Sequence, residues 1–154
     1  MVAANTAAAG NDGGLVGDGS LPGYWHKLWR TRDPEVYLLE YGYSCMGYEV
    51  AGGIGVKMAE PTREVYVMVG DGSYLMMSQE IVTSLQERYK LTIVVLDNHG
   101  YSSIGGLSES VRSGGFGTQY NFRGQDGQLS GTQVPVDFPA NSNSLRATPI
   151  CVPP

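Results

Sequence analysis

Basic residues, cysteines and long apolar runs are scarce in this sequence, and each scarcity removes a class of function. Lysine and arginine number 10 against 15 aspartates and glutamates, a formal net charge of -5. A nucleic-acid surface needs a basic face, so no nucleic-acid partner is expected. An anionic ligand would have to be held by a metal, by helix N-termini or by backbone N–H groups. The two cysteines, Cys45 and Cys151, form no CxxC, no zinc spacing and no disulfide framework, which points to a reducing compartment. No apolar run approaches the roughly 20 residues a bilayer crossing requires. Residues 1–9 lack the basic start and apolar core of a signal peptide. The expectation is a cytoplasmic protein with no membrane partner.

What remains is 154 residues, 42% hydrophobic and only 16% charged, enough for one globular domain with a core. Glycine is abundant at 22 residues, as tight turns and close backbone approaches require.

Residues 1–23 are rich in Ala, Gly and Asn without periodicity and read as a flexible linker or the tail of a preceding domain. Residues 24–32 (YWHKLWRTR) suit a short amphipathic helix, with Trp25 and Trp29 in packing roles, and 36–40 suit a short strand. Residues 46–58 read as a helix with an apolar stripe (Met46, Val50, Ile54, Met58) beside a small-residue stripe (Gly47, Ala51, Gly55). Each interior glycine costs a helix roughly 1 kcal/mol relative to alanine, so close packing is the natural explanation for keeping them. Residues 64–69 and 91–96 are short, continuous, β-branched runs, as in strands buried on both faces of a parallel sheet. Residues 73–89 between them have helix length and period, so 64–96 forms a βαβ unit. Residues 139–154 have no period and end in Pro-Pro, which reads as a disordered or truncated tail. The expected fold is α/β, a parallel sheet flanked by helices, with the main domain at residues 24–138.

The chemistry concentrates at the two turns of the βαβ unit. Gly70-Asp71-Gly72-Ser73 follows the first strand, and Asp97-Asn98-His99-Gly100 follows the second. In open α/β sheets the C-terminal strand edge is where ligands bind. A carboxylate, an amide oxygen and a backbone carbonyl make a partial oxygen set for Mg²⁺, which completes its octahedron with phosphate oxygens and water. The start of the following helix offers free N–H groups and a positive dipole end to a diphosphate. A β-hairpin at Asp71-Gly72 would need a short strand afterwards, whereas helix-like residues follow. A second GDGS, at residues 17–20, follows no expected strand and reads as coincidence. Gly53-x-Gly55 fails the dinucleotide fingerprint because residue 58 is Met and no strand runs into it. His26 and His99 read as hydrogen-bonded structural histidines, and Cys45 as a small buried hydrophobe.

Gly70-Asp71-Gly72, then residues 73–96, then Asp97-Asn98 resembles the thiamine-diphosphate signature, GDG followed by about two dozen residues and an Asn pair. Within those enzymes the sequence is most similar to the trihydroxycyclohexane-1,2-dione hydrolases, ring-opening enzymes of inositol catabolism and relatives of acetolactate synthase. The carrying segments are HKLWRTRD (26–33), EYGYSCMGYEVAGGIGVKMA (40–59), EVYVMVGDGSYLMMSQEIVTSLQE (64–87) and LDNHGYSSIGGLSESV (96–111). The resemblance implies that Asp71 and Asn98 bind Mg²⁺ through side chains and Gly100 through its carbonyl. It implies that Gly70, Gly72 and Ser73 contact the diphosphate of thiamine diphosphate, with Tyr101 and Ser102 close by. Met46 would bend the cofactor from beneath, and Ser44 and Cys45 would flank its aminopyrimidine. The thiazolium ylid would attack a ketone carbon of a cyclic polyol dione, and cleavage with addition of water would release 5-deoxy-glucuronate.

Two departures from the family pattern stand out. Asp97 replaces the first Asn of the pair, while the metal-binding second position is intact. The family also needs a pyrimidine-binding domain, contributed by a partner subunit in a homodimer or homotetramer, whose Glu activates the cofactor. No such domain fits here, so the expectation is a C-terminal fragment without turnover alone, and no catalytic side chain is assigned within it. Two other readings stand beside this one: an acetolactate-synthase-like carboligase domain, and a non-functional truncated product.

Overall fold

The computed structural model describes residues 14–17, 29, 37–40 and 42–152. By internal contacts the chain divides into two units, Met1–Asp97 and Asn98–Pro154. The boundary falls inside the Asp97-Asn98 pair, not at the ends of the expected 24–138 domain. The reason is that Leu96 ends the last strand, and nothing described after it joins the sheet.

The first unit is a four-stranded sheet, β1 (Gly14–Gly17), β2 (Tyr37–Leu39), β3 (Val65–Gly70) and β4 (Thr92–Leu96), in the order β2-β1-β3-β4. Every adjacent pair is parallel. The runs expected to be strands at 36–40, 64–69 and 91–96 are therefore strands, and the last two are neighbours. β3 is the best-buried strand: Val65, Val67 and Val69 are inaccessible to solvent, and Met68 is buried too. Both faces of β3 are covered, which is why its sequence is apolar without alternation. On one side Met68 packs among Trp29, Tyr37, Tyr66, Val94 and Leu96. The packing role expected of Trp29 holds; Trp25, His26 and the rest of the proposed 24–32 helix lie outside the described residues.

The linker expected at residues 1–23 is corrected by β1. Gly14–Gly17 pair with β2 on one side and β3 on the other. A strand with two apolar residues between glycines is too short to show periodicity, and only its partners stabilise it. The GDGS at residues 17–20 consequently does begin on a strand end, at Gly17; residues 18–20 lie outside the described set.

Helix α1 (Tyr48–Ala59) follows, capped by Gly47 at φ 88°, a left-handed conformation that favours glycine. Val50 and Ile54 of the expected apolar stripe are buried, but Met58 is 61% exposed. Of the Gly47, Ala51, Gly55 stripe, Gly47 makes a close approach, a Cβ there standing 2.8 Å from Met77 Cγ, but the approach to the sheet falls on Gly53. A Cβ on Gly53 would stand 2.5 Å from Val67 Cγ2, whereas one on Gly55 would meet nothing within 4 Å. The true buried face runs Glu49, Val50, Gly53, Ile54, Lys57, rotated by about one residue from the four-residue repeat. The Lys57 ammonium is buried and donates to the Arg63 carbonyl, which anchors the turn into β3.

The single helix expected over 73–89 is two helices, α2 (Asp71–Met77) and α3 (Glu80–Gln86). Ser78 and Gln79 between them keep helical dihedrals. Ile81 N–H donates to the Ser78 carbonyl at 3.1 Å and Val82 N–H to the Gln79 carbonyl at 2.9 Å. These tighter i to i−3 bonds make a local overwinding of one helical run, not a loop. The run ends where Arg88 turns to φ 59°.

The second unit holds α4 (Ser102–Ser110), isolated antiparallel bridges Gly100–Gln119 and Asn121–Gln133, and α5 (Phe138–Ser144). The tail expected to be disordered from 139 onward is thus helical at its start. Asp137 caps α5, its carboxylate accepting from Ala140 N–H at 2.8 Å, and Pro139 presets the first turn. That cap carries no hydrophobic periodicity, which is why periodicity missed it. Among the described residues no helix is long and apolar enough to cross a membrane.

Candidate cofactor and metal site

In the first unit, the pairing of Gly70 with Leu96 ends β3 and β4 at the same level. Asp71 and Asp97, the next residues, therefore leave adjacent parallel strands side by side at the C-terminal edge of the sheet. Gly70 is extended (φ -73°, ψ 155°) and caps α2, so the chain turns from strand to helix at one residue. Asp71 opens that helix and is 0% exposed. Gly72, Ser73 and Tyr74 are buried behind it. A carboxylate withdrawn from water is costly unless hydrogen bonds or a cation compensate, and the first-turn position supplies the positive end of the helix dipole. Burial pushes the Tyr74 phenol up from its ordinary pKa.

The other expected cofactor contacts of this unit lie before α1. Ser44 is exposed and left-handed at φ 52°, and Met46 is half-buried. Cys45 is exposed, not the small buried hydrophobe expected. The polar turn around it keeps it at the surface: its N–H donates 2.6 Å to Glu40 Oε2, and its carbonyl accepts from Tyr48 N–H at 3.3 Å. Tyr43 N–H donates to Glu40 Oε1 at 2.9 Å. Hydrogen bonds from the Tyr43 and then the Cys45 backbone hold the Glu40 carboxyl below the usual carboxylate range. Burial, then the charges of Glu40 and Glu49, push the Tyr48 phenol up. Glu40 was missed from sequence; an acid two residues ahead of the Gly42-Tyr43-Ser44-Cys45 turn was the available signal.

In the second unit, Asn98 is exposed, and its Oδ1 accepts from the Ser102 hydroxyl at 2.7 Å. Ser102 therefore fixes which end of the amide faces it. Gly100 is buried at φ 152°. A Cβ there would sit 2.3 Å from the Thr118 carbonyl oxygen, so only glycine fits. Around it Tyr101 N–H donates to Thr118 O at 2.7 Å, and Tyr120 N–H donates to His99 O at 3.0 Å. The Tyr101 and Tyr120 rings meet edge to face at 5.7 Å. His99, read as structural, takes φ 62° within this turn.

Among the described residues no three His, Cys, Asp or Glu side chains gather as a metal cluster. The expected set has a different chemistry, since Asp71, Asn98 and Gly100 offer one carboxylate, one amide oxygen and one carbonyl. All three are hard oxygen donors, which fit Mg²⁺ and not a thiophilic metal.

The family model of the thiamine pyrophosphate enzyme C-terminal TPP binding domain matches residues 17–152. The chain belongs to this family. Its thiamine pyrophosphate enzyme relatives include a protein of Bacillus thuringiensis (strain Al Hakam) named 3D-(3,5/4)-trihydroxycyclohexane-1,2-dione hydrolase, 50% identical over 125 residues. A protein of Bacillus anthracis with the same name is also 50% identical over 125 residues. In each case the match covers 80% of this chain and 19% of the relative, so the chain spans about a fifth of their length. Among solved structures, the thiamine diphosphate-dependent 4-hydroxybenzoylformate decarboxylase of Rhodococcus jostii RHA1 aligns with a TM-score of 0.69. That alignment covers 90% of this chain and 24% of the decarboxylase at 19% identity, and it establishes the α/β fold alone.

Proposed function

We propose that this chain carries the thiamine-diphosphate and Mg²⁺ site of an enzyme that hydrolytically opens trihydroxycyclohexane-1,2-dione to 5-deoxy-glucuronate in inositol catabolism. The observation that carries the reading is the Gly70–Leu96 register, which starts both signature turns from the same sheet edge. The shared name of relatives at 50% identity supports the substrate class.

In this reading Asp71, Asn98 and the Gly100 carbonyl hold Mg²⁺, and Gly70, Gly72 and Ser73 receive the diphosphate, with Tyr101 and Ser102 beside it. Ser44, Cys45 and Met46 take the aminopyrimidine end. Bound thiamine diphosphate supplies a nucleophilic thiazolium carbon for attack on a ketone. The chain's own residues bind and orient: buried Asp71 fixes the ion, and the half-buried Met46 side chain supports the cofactor from below. The activating Glu belongs to a pyrimidine-binding domain of a partner subunit in a cytoplasmic homodimer or homotetramer. This chain by itself is then a binding segment without turnover.

A ligand that binds only the folded state raises stability by about 2.7 kcal/mol at a hundredfold excess over its Kd. Thiamine diphosphate with Mg²⁺ should therefore raise the melting temperature of the chain, and each alone should raise it less. Asp71→Ala should abolish the rise. A rise that survives Asp71→Ala would overturn the metal assignment. In a full-length protein carrying this segment, turnover of the cyclic dione and not of pyruvate is expected; the reverse would favour a carboligase.

A further inference from the structure

We propose that Glu40 is a positioning residue, which shapes the turn carrying Ser44, Cys45 and Met46 through a two-oxygen clamp on the backbone. The role of that turn rests on the cofactor reading above; the clamp itself does not.

The clamp is built from the sheet outward. β2 ends at Leu39, so Glu40 is the first residue past a paired strand and has an anchored base. Its two oxygens are divided: Oε1 accepts from Tyr43 N–H at 2.9 Å, and Oε2 accepts from Cys45 N–H at 2.6 Å. The Gly42 N–H adds a weaker contribution. Successive N–H groups converging on one anion form a nest, and bonds to a charged acceptor are roughly twice as strong as neutral ones. Ser44 lies between the two clamped amides and holds φ 52°, a conformation that a side chain other than glycine's disfavours. The clamp offsets that strain. It reaches helix α1 as well, because the Cys45 carbonyl accepts from Tyr48 N–H. Glu40 thus ties β2, the turn and the start of α1 together, and meets the expected cofactor contacts only through the Cys45 backbone N–H. A glutamine could offer only one acceptor oxygen, and its NH₂ would face an N–H.

Two measurements on the full chain test this. Amide hydrogen exchange without cofactor should show Tyr43 and Cys45 protected in the wild type. Both should exchange at least tenfold faster in Glu40→Gln, with the β3 and α1 amides unchanged. Calorimetric titration with thiamine diphosphate at saturating Mg²⁺ should then show about tenfold weaker binding in Glu40→Gln, measured below a thermal midpoint that falls only modestly with loss of the clamp. Glu40→Asp, which keeps two oxygens on a shorter arm, should recover part of both losses and guards against a misfolded glutamine variant. Unprotected Tyr43 and Cys45 amides in the wild type, or exchange unchanged in both variants, would refute the clamp. Weakened protection with cofactor affinity intact would refute the positioning role. A wild-type chain that binds no cofactor would refute the proposed function, while the exchange result would still decide the clamp.

Discussion

Gly100 and Glu40 show how much of this chain's expected chemistry depends on single backbone positions. At Gly100 there is no room for a side chain, since the Thr118 carbonyl would stand 2.3 Å from a Cβ. Gly100→Ala should therefore cost about 1–3 kcal/mol locally, the scale of a strained backbone residue. The check is exchange at the Tyr101 and Tyr120 amides, which bond across this crossing; unchanged protection would show that the turn adapts. Glu40 carries a pH signature of defined sign. Its carboxyl is held low chiefly by the Tyr43 N–H and then the Cys45 N–H. A depressed carboxyl contributes stability above its unfolded pKa and loses it as pH falls through the folded one. The Tyr43 and Cys45 amide shifts should consequently stay flat down through the usual carboxylate range and move together only below it. Tyr48, whose phenol is pushed up by burial and then by the Glu40 charge, should not titrate in that window, which lies far below the phenol range.

Among the secondary elements, α1 against β3 offers the sharpest test. The two glycines Gly53 and Gly55 sit on opposite sides of one helix. Gly55→Ala should stabilise by about 0.5–1 kcal/mol, because alanine is the better helix former and the site is open. Gly53→Ala should destabilise by about 1–3 kcal/mol by overpacking a rigid buried valine. Val67→Ala should relieve part of that loss in the double variant, and denaturant midpoints read all four proteins. The contrast also marks what was legible beforehand. Helix α1, strands β3 and β4, and the two turns after them were readable because apolar periodicity and the Gly-Asp-Gly spacing report local structure directly. Which glycine faces the sheet was not, since a strict four-residue repeat drifts off the 3.6-residue helix. The overwinding at Ser78 and Gln79 left no mark in composition, and β1 is a strand only by virtue of its neighbours.

For the molecule as a whole, the two units are held by different means. In the first, buried apolar residues from Val50 to Ile81 make a core. In the second, no described apolar side chain is buried: Leu107, Val111 and Phe116 are 63%, 74% and 65% exposed. Its order comes from backbone bonds across turns, which open more readily than a packed core. Limited proteolysis should therefore cut after Asn98 well before it cuts within residues 48–96, and an initial cut in α1 or β3 would contradict that ordering. Within the first unit, the strand order has a consequence for assembly. β1 is the seam of the sheet, with β2 on one flank and β3 on the other. It leaves the ribosome first of the four, yet one of its edges stays bare until residue 70 has been synthesised. Trimming or tagging that disturbs those four amino acids would orphan β2 and unzip the sheet down its middle, far in sequence from any ligand.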